Sequence, residues 1–285
     1  MIVRVHSGHH RRDVYIVNQR LGHCGEHFIL LVSADMNATV DMQTLYDAGA
    51  HFALSRARRH PTATPYIFST KDRTDIFDLE ETIKRLESAK ALAGAIAGSG
   101  KRVLFVGGKN EAISIVKSAA ESVGAPYVAG RWIGGSLTNF KNIRKRIDRL
   151  EKFMSERESG ALEKYTKRER LMIDREIEKL LARFGGLVKM TELPGALFVV
   201  DSRHEDTAVK EANQLKIPVI GLSSSDCDFS LVQYPIPGND TSVRSIRFVA
   251  EAIAESYAAG LTHRPTTEGE KVPAIVKSDI KTARR

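Results

Sequence analysis

The feature that most limits the fold is a series of short apolar runs separated by helical segments of about a dozen residues. Three runs are apolar along almost their whole length: RVLFVGG at 102–108, GALFVVD at 195–201 and IPVIGLS at 217–223. A shorter strand pattern lies at 125–130, and helical spacing occurs at 110–124, 204–216 and 241–260. Strands without polar alternation are typical of a parallel sheet covered on both faces. The sequence therefore predicts an open, doubly wound α/β domain.

The alternation of strands and helices is interrupted between Ser136 and Phe184, where no strand pattern occurs. Apolar residues recur there at spacings of three and four, with a break at the ESG segment, 158–160. They are Leu137, Phe140, Ile143, Ile147, Leu150 and Phe153, then Leu162, Tyr165, Met172, Ile173, Ile177, Leu180 and Phe184. This spacing predicts two long helices with a narrow apolar seam. We expect an antiparallel helical hairpin over 136–184, inserted in the sheet domain and protruding from it.

The rest of the chain divides by composition. Local patterns predict a short helix from Met42 closed by Gly49, two strands around a polar turn at 65–79, and a helix at 79–100. Histidine and cysteine crowd the start of the chain, at His6, His9, His10, His23, Cys24 and His27. We therefore expect a flexible His-rich extension over 1–41, an α/β domain over 42–260 and a flexible basic tail over 261–285.

Charge and cysteine content limit which partners and which cellular compartment are expected for the protein. The chain carries 43 Lys and Arg against 35 Asp and Glu, a net charge of +8, which favours a polyanionic partner. Two distant cysteines imply no disulfide framework and favour the cytoplasm. The early apolar segment at 28–34 is much shorter than the roughly 20 residues of a membrane helix, so no membrane partner is predicted. The His and Cys spacing does not fit a structural zinc finger, so no metal site is predicted.

Three segments invite an enzymatic interpretation. GSGKR at 98–102 closes a helix and opens a strand, which is the reverse of a phosphate-binding P-loop. Gly107 and Gly108 end a strand where α/β sheets bind ligands, but the full dinucleotide-binding glycine pattern is missing. Asp201 also ends a strand, and we favour a capping turn over a general base or metal ligand. No catalytic constellation is predicted, and a small-ligand site at this sheet edge stays open as the alternative.

The segment GRWIGGSLTNFKNIRKR, 130–146, has the features of an anion site. Gly134 and Gly135 permit close approach of the backbone, and Ser136 is expected to cap a helix that starts at Leu137. A free helix N-terminus attracts phosphate. The cations continue along the helix as Lys141, Arg144, Lys145, Arg146 and Arg149, which is longer than a mononucleotide and favours a nucleic-acid backbone.

Two further groups of residues extend this expected surface. Arg131 and Trp132 precede the glycines and offer a cation and a stacking surface, although a core position is an equally good interpretation of Trp132. Arg56, Arg58 and Arg59 form a second basic loop. Each group alone is also compatible with an ordinary solvated surface.

Several long motifs in the same order resemble the bacterial ribosomal protein S2 family. They are RWIGGSLTNF, AHF with RRHP and PYIF, LPGALFVVD with AVKEANQLKIPVIGL, and DCDFSLVQYPIPGNDTSVRSIR, and the resemblance runs from about residue 42 to residue 260. Two loops depart from the family pattern, at Ala53, Leu54, Arg59 and His60, and at 226–229.

The resemblance implies a flavodoxin-like sheet with a protruding hairpin, and a structural role in the small ribosomal subunit without catalysis or cofactor. It implies as partners small-subunit rRNA, neighbouring ribosomal proteins and, where a cell has one, ribosomal protein S1. Charge and resemblance together give the expected rRNA-binding residues: Arg56, Arg58, Arg59, Arg131, Trp132, Gly134, Gly135, Asn139, Lys141, Arg144 and Lys145. An alternative makes the hairpin an arm that docks another protein.

Overall fold

The computed structural model describes residues 2–5, 14–17, 31–33 and 42–262, and the chain divides into two units, 1–41 and 42–285. In the first unit, β1 (Ile2–Val5), β2 (Val14–Val17) and β3 (Leu31–Ser33) form an antiparallel sheet in that order. The histidines and Cys24 of the expected extension lie outside the described residues, as does the expected tail beyond residue 262.

The second unit begins with a small antiparallel sheet. It contains α1 (Met42–Asp47), β4 (Phe52–Ser55), β5 (Ile67–Lys71) and β6 (Thr74–Phe77), with the strands in the order β4-β6-β5. Asp72 and Arg73 join β5 to β6, and both have positive φ, which is the conformation of a type I′ hairpin turn. The predicted helix before Gly49 and the predicted strand pair are confirmed. β4 was not predicted.

Five parallel strands form the main sheet. They are β7 (Val103–Gly107), β8 (Tyr127–Ala129), β9 (Ala196–Val200), β10 (Val219–Ser223) and β11 (Tyr234–Pro237). Their order, β11-β10-β9-β7-β8, is that of a flavodoxin-like fold. The sequence did not predict β11, because its YPIP segment contains two prolines; β11 lies at the edge of the sheet, where proline is tolerated.

Six helices of this unit accompany the strands: α2 (Leu79–Gly98), α3 (Asn110–Ser122), α4 (Phe140–Glu158), α5 (Lys167–Phe184), α6 (Asp206–Gln214) and α7 (Val243–Thr262). Short 3-10 turns lie at Arg56–Arg58, Pro61–Tyr66, Ala161–Lys164, Gly185–Leu187 and Phe229–Leu231. None of the helices in the described residues is both long and apolar enough to span a bilayer.

The core lies against both faces of the main sheet. Every residue of β7, β9 and β10 is buried, which confirms the prediction from their uninterrupted apolar runs. On one face, Leu104 and Val199 pack in a cluster with residues of α4 and α6. Away from this cluster, α7 contacts both α2 and α3. The parallel sheet is therefore flanked by helices, as the alternation of strands and helices predicted.

The helices α4 and α5 lie in the chain between β8 and β9, and the break between them falls where the spacing predicted it. The helix α5 begins with a capping box, in which Thr166 and Glu169 each bind the other's backbone N–H group. An ion pair of 3.0 Å joins Arg149 of α4 to Glu176 of α5. The two helices contact each other, and Ile147 of α4 and Ile177 of α5 are both buried.

Candidate nucleic-acid interface

The glycine-rich segment before α4 binds a carboxylate of the protein itself. Glu211 of α6 is 8% exposed, and its two oxygens accept five hydrogen bonds from this segment. The donors are Gly135 N at 2.7 Å, Leu137 N at 3.0 Å, Thr138 N and Oγ1 both at 3.1 Å, and Trp132 Nε1 at 3.1 Å. The N–H groups expected to face an external phosphate are therefore occupied from inside the fold.

Ionisation of Glu211 suits this position. Burial by itself raises the pKa of its carboxyl group, but hydrogen bonds from the backbone of Thr138, Gly135 and Leu137 and from the Trp132 indole outweigh that effect. The net pKa of Glu211 lies below its ordinary value, so the group is a carboxylate at neutral pH. A negative charge here also interacts favourably with the positive end of the α4 dipole.

The helix start predicted at Leu137 is wrong, because α4 begins at Phe140 and Asn139 occupies the capping position. The Glu211 carboxylate holds the N–H groups of Leu137 and Thr138 in a turn before the helix. The Ser136 hydroxyl donates to the carbonyl of Ile133 and does not cap the helix.

The structure places Trp132 in the core, which is the second of its two interpretations. Its side chain is 8% exposed and belongs to the cluster that contains Leu104, Ile143 and Val199. Its one polar atom donates to Glu211. A stacking contact between this ring and a base is not compatible with that burial, so the geometry favours a structural role.

The cations of α4 fall into two groups. Arg144 binds Asp148 at 2.7 Å and Glu151 at 2.9 Å, and donates to the carbonyl of Val188. Its guanidinium therefore ties α4 to the segment after α5. Lys141 and Lys145, in contrast, are exposed, and no ion pair joins either to another described residue.

The basic loop divides in the same way. Arg56 and Arg58 lie exposed in a 3-10 turn and form no ion pair within the described part of the chain. Arg59 lies 3.7 Å from the buried carboxylate of Asp75 and is partly covered. The loop is attached to the main sheet, because the N–H of His60 donates to the carbonyl of Ser225 after β10.

The ligand position expected for an enzyme, at the carboxyl ends of β7 and β9, is also filled by side chains. The Gly108 N–H donates to Glu205 at 3.0 Å. The Lys109 ammonium lies 2.9 Å from Asp201 and 3.0 Å from Asp240. Asp201 also accepts the N–H groups of Arg203 and His204 in the turn before α6, but it does not cap that helix, whose capping position is Glu205.

Asp201, Asp240 and Cys227 bring their ligand atoms within 4.8 Å of one another, a spacing that could hold a metal ion. In this structure, however, the cation between the two carboxylates is the Lys109 ammonium. Burial by itself lowers the pKa of Lys109, but the hydrogen bonds and charges of Asp201 and Asp240 outweigh it and raise the pKa.

We expect Cys227 to be unreactive in the folded protein. Burial, together with the charge of Asp201, raises the pKa of the thiol to about 12, and the side chain is fully buried. Alkylation by iodoacetamide at pH 8 should therefore be more than about a hundredfold slower in the native than in the denatured chain. Mass spectrometry of the peptide that contains Cys227 measures this, and similar native and denatured rates would contradict it.

Comparison with known proteins identifies the family. The family model of ribosomal protein S2 matches residues 45–260. The chain belongs to the ribosomal protein S2 family. Proteins named small ribosomal subunit protein uS2 from Syntrophobacter fumaroxidans and Chloroherpeton thalassium are 40% and 42% identical to it, over 81% and 77% of this chain and 84% and 88% of the relatives. The protein of that name from Acinetobacter baylyi is 40% identical over 85% of this chain and 98% of its own.

In this member of the ribosomal protein S2 family, the sequence analysis missed the two residues that organise the loops. Glu211 was not singled out within the predicted helix at 204–216, although it lies between Val209 and Ala212 on the buried side of α6. An acidic residue on the apolar face of a predicted helix indicates a carboxylate that binds other parts of the protein, because a buried carboxylate requires hydrogen-bond donors. Lys109 carried no comparable signal, since exposed lysines commonly follow strands.

Proposed function

We propose that the chain is a structural constituent of the small ribosomal subunit in the cytoplasm, where it binds small-subunit rRNA and neighbouring ribosomal proteins and catalyses no reaction. The observation that carries this function is membership of the ribosomal protein S2 family over residues 45–260. The competing enzyme hypothesis has less support. At the sheet edge where a ligand was expected, Glu205 already binds the Gly108 N–H and Lys109 already binds Asp201.

The proposed rRNA contacts are made by cations that the fold leaves unpaired. Arg56, Arg58, Arg131, Lys141 and Lys145 are exposed and form no ion pair within the described part of the chain. Such side chains can neutralise backbone phosphates and release their counterions. From the larger expected set, three residues are proposed to act indirectly: Trp132 and Gly135 by fixing the turn before α4, and Arg144 by tying α4 to the segment after α5.

The helices α4 and α5 are proposed to project from the sheet domain as a hairpin. This is supported by their composition, because α4 buries only Ile143, Ile147 and Leu150 along its 19 residues, and α5 only Ile177 and Phe184. Leu171 and Met172 are 50% and 61% exposed. A projecting hairpin offers its charged faces to rRNA near α4 and its exposed apolar residues to a neighbouring protein. Ribosomal protein S1 is a further proposed partner, on the basis of the family resemblance alone.

Sedimentation with small subunits tests the function. The full chain should pellet with small ribosomal subunits at low and moderate salt, and its affinity should fall steeply as salt is raised. A chain that remains in the supernatant under both conditions would overturn the proposal. A melting temperature that rises with a nucleotide or sugar phosphate, in a chain that does not sediment, would instead favour an enzyme.

Charge reversal on α4 tests the contact residues. The double variant Lys141→Glu and Lys145→Glu should bind small-subunit rRNA roughly tenfold or more weakly, because two phosphate contacts are replaced by repulsion. Arg244→Glu with Arg247→Glu, two exposed and unpaired cations of α7, is the matched control. Filter binding measures both affinities. Equal losses in the two variants would show that α4 contributes only net charge, and unchanged rRNA binding would favour a hairpin that docks a protein.

A further inference from the structure

A cleft of about 290 Å³ opens between α3, the edge strand β8 and the end of α5. Each of these three parts of the chain supplies one cation to its lining: Lys117 from α3, Arg131 from the segment after β8, and Arg183 from α5. No aspartate or glutamate lies among the described residues that line it. The cleft therefore gathers positive charge from three separate segments, one of which, the end of α5, is more than 50 residues from the other two.

The three cations have no anionic partner in the described part of the chain. All three side chains are exposed, and none forms an ion pair or side-chain hydrogen bond there. This differs from Arg144 and Arg149, which are both satisfied by carboxylates. Unpaired like charges that face one cleft repel each other, so an anion in the cleft removes an unfavourable interaction and forms favourable ones.

The shape of the cleft depends on a close approach of two backbone segments. The turn Gly185–Leu187, which follows α5, packs beside β8. A Cβ atom at Gly186 would overlap the carbonyl oxygen of Tyr127 and lie 2.7 Å from its ring, so only glycine permits this contact. The Tyr127 hydroxyl donates to Glu121 at 2.8 Å, which fixes the ring at the edge of the cleft. Arg183 and Arg131 are thus brought to the same opening by tertiary packing.

We propose that this α3–β8–α5 cleft binds a phosphate group of the rRNA backbone. The inference rests on the proposed function and deepens it, because it assigns one phosphate contact to a defined cleft. The volume lies just below the roughly 300–1,000 Å³ typical of sites for whole small molecules, and it suits one phosphate with part of its sugar. Two guanidinium groups can each bind phosphate oxygens in a bidentate manner, and Lys117 adds a third charge.

The test compares two double variants of the full chain in binding to a transcript of small-subunit rRNA. Lys117→Gln with Arg183→Gln removes two charges from the cleft. Arg244→Gln with Arg247→Gln removes two from α7 and controls for net charge. Filter binding over a range of KCl concentrations gives the slope of log affinity against log salt. The cleft variant should lower the magnitude of that slope by about two and weaken binding roughly tenfold, whereas the control should leave the slope unchanged.

A second measurement uses the unmodified chain. Acetylation of Lys117, followed by mass spectrometry, should slow several-fold when rRNA is bound, while acetylation of Lys84 on α2 should not change. Equal slopes for the two double variants, or no shielding of Lys117, would overturn the cleft proposal and leave the proposed function intact. Failure of the unmodified chain to bind rRNA or small subunits would overturn the proposed function itself.

A third measurement uses inorganic phosphate, because free phosphate has the same charged oxygens as the phosphate groups of the rRNA backbone. Melting temperatures are compared in phosphate and chloride at equal ionic strength. If the cleft variant loses a phosphate-dependent rise in melting temperature while its rRNA salt slope stays unchanged, the cleft is a site for a free anion. That result would also overturn the proposal.

Discussion

Replacement of Glu211 by alanine is expected to lower the free energy of unfolding by about 3–5 kcal/mol. The carboxylate is buried and accepts hydrogen bonds from three backbone N–H groups, one hydroxyl and one indole. Its removal leaves several of these donors without a partner where water has little access. The start of α4 and the position of Trp132 both depend on it, so the effect reaches the α4 cations. Urea unfolding followed by circular dichroism measures the loss.

Two variants control for the Glu211 prediction. Glu211→Gln keeps the shape but presents an amide N–H₂ group to backbone donors, so a loss of about 2 kcal/mol is expected. Glu178→Ala removes an exposed and unpaired glutamate of α5 and should change stability by less than about 0.5 kcal/mol. A Glu211→Ala loss no greater than that of Glu178→Ala would contradict the structural role assigned to the carboxylate.

The stabilisation by Glu211 should also depend on pH with a definite sign. Because the folded pKa lies below the ordinary value of about 4.3, the stabilisation is fully present above that pH. It is lost as the pH falls through the folded pKa. The stability difference between the unmodified chain and Glu211→Gln should therefore be constant near neutrality and shrink in acid. A difference that grows in acid would contradict the lowered pKa.

Lys109→Met is expected to lower the free energy of unfolding about as much as Glu211→Ala does, by about 3–5 kcal/mol at pH 8. The variant leaves Asp201 and Asp240 without the ammonium that lies 2.9 and 3.0 Å from them. Asp240 is 1% exposed, and its Oδ1 atom has no hydrogen-bond partner in the described structure. Two carboxylates then repel each other in a buried site. Lys117→Met, at an exposed and unpaired lysine of α3, is the control and should change stability little.

The Lys109 prediction can be checked by neutralising one carboxylate. Adding Asp240→Asn to Lys109→Met removes the repulsion and should restore part of the lost stability, which an effect of lysine packing alone would not permit. The destabilisation by Lys109→Met should also be smaller at pH 5 than at pH 8, because Asp240 can then take up a proton. If the loss is the same at both pH values and the second substitution restores nothing, electrostatics is not its cause.

Asp240 makes the stability of the unmodified chain depend on pH with the opposite sign to the contribution of Glu211. Burial and the charge of Asp201 raise its pKa to about 7, against the opposing effect of Lys109. Its unfolded value is about 3.9, so the folded chain holds the proton more tightly and the associated stability is present below that pH. That stability is lost as the pH rises toward and through about 7, and Asp240→Asn should abolish this part of the pH dependence.

The order of secondary structure was largely predictable from local patterns. The apolar runs of β7, β9 and β10 and the spacing in α2, α3, α6 and α7 each reflect the repeat of a strand or a helix, and this information lies within a few residues. The edge strand β11 was missed because its prolines are acceptable only at an edge, and the position of a strand in a sheet is not a local property.

The candidate interface was predictable in part. The sequence identified Arg56, Arg58, Lys141 and Lys145 as cations on loops and a helix face, and the structure leaves them exposed. Helical spacing alone places Asp148 within reach of Arg144, but the sequence could not show that Arg144 also binds the carbonyl of Val188, which lies 44 residues away. It also could not place Lys117 beside Arg183, since no pattern along the chain links the two.

By itself, the sequence determined the class of fold, the family and the abundance of positive charge, because these follow from short-range periodicity, ordered motifs and composition. Only the tertiary structure decided how the segment from Arg131 to Asn139 is used. In an isolated turn, the same glycines and N–H groups could equally well bind an external phosphate. They bind Glu211 because α6 packs beside them and brings a carboxylate that lies 76 residues beyond Gly135 within 2.7 Å. A hydrogen bond formed across that separation is fixed by the packing of the sheet and its helices, which local sequence does not encode.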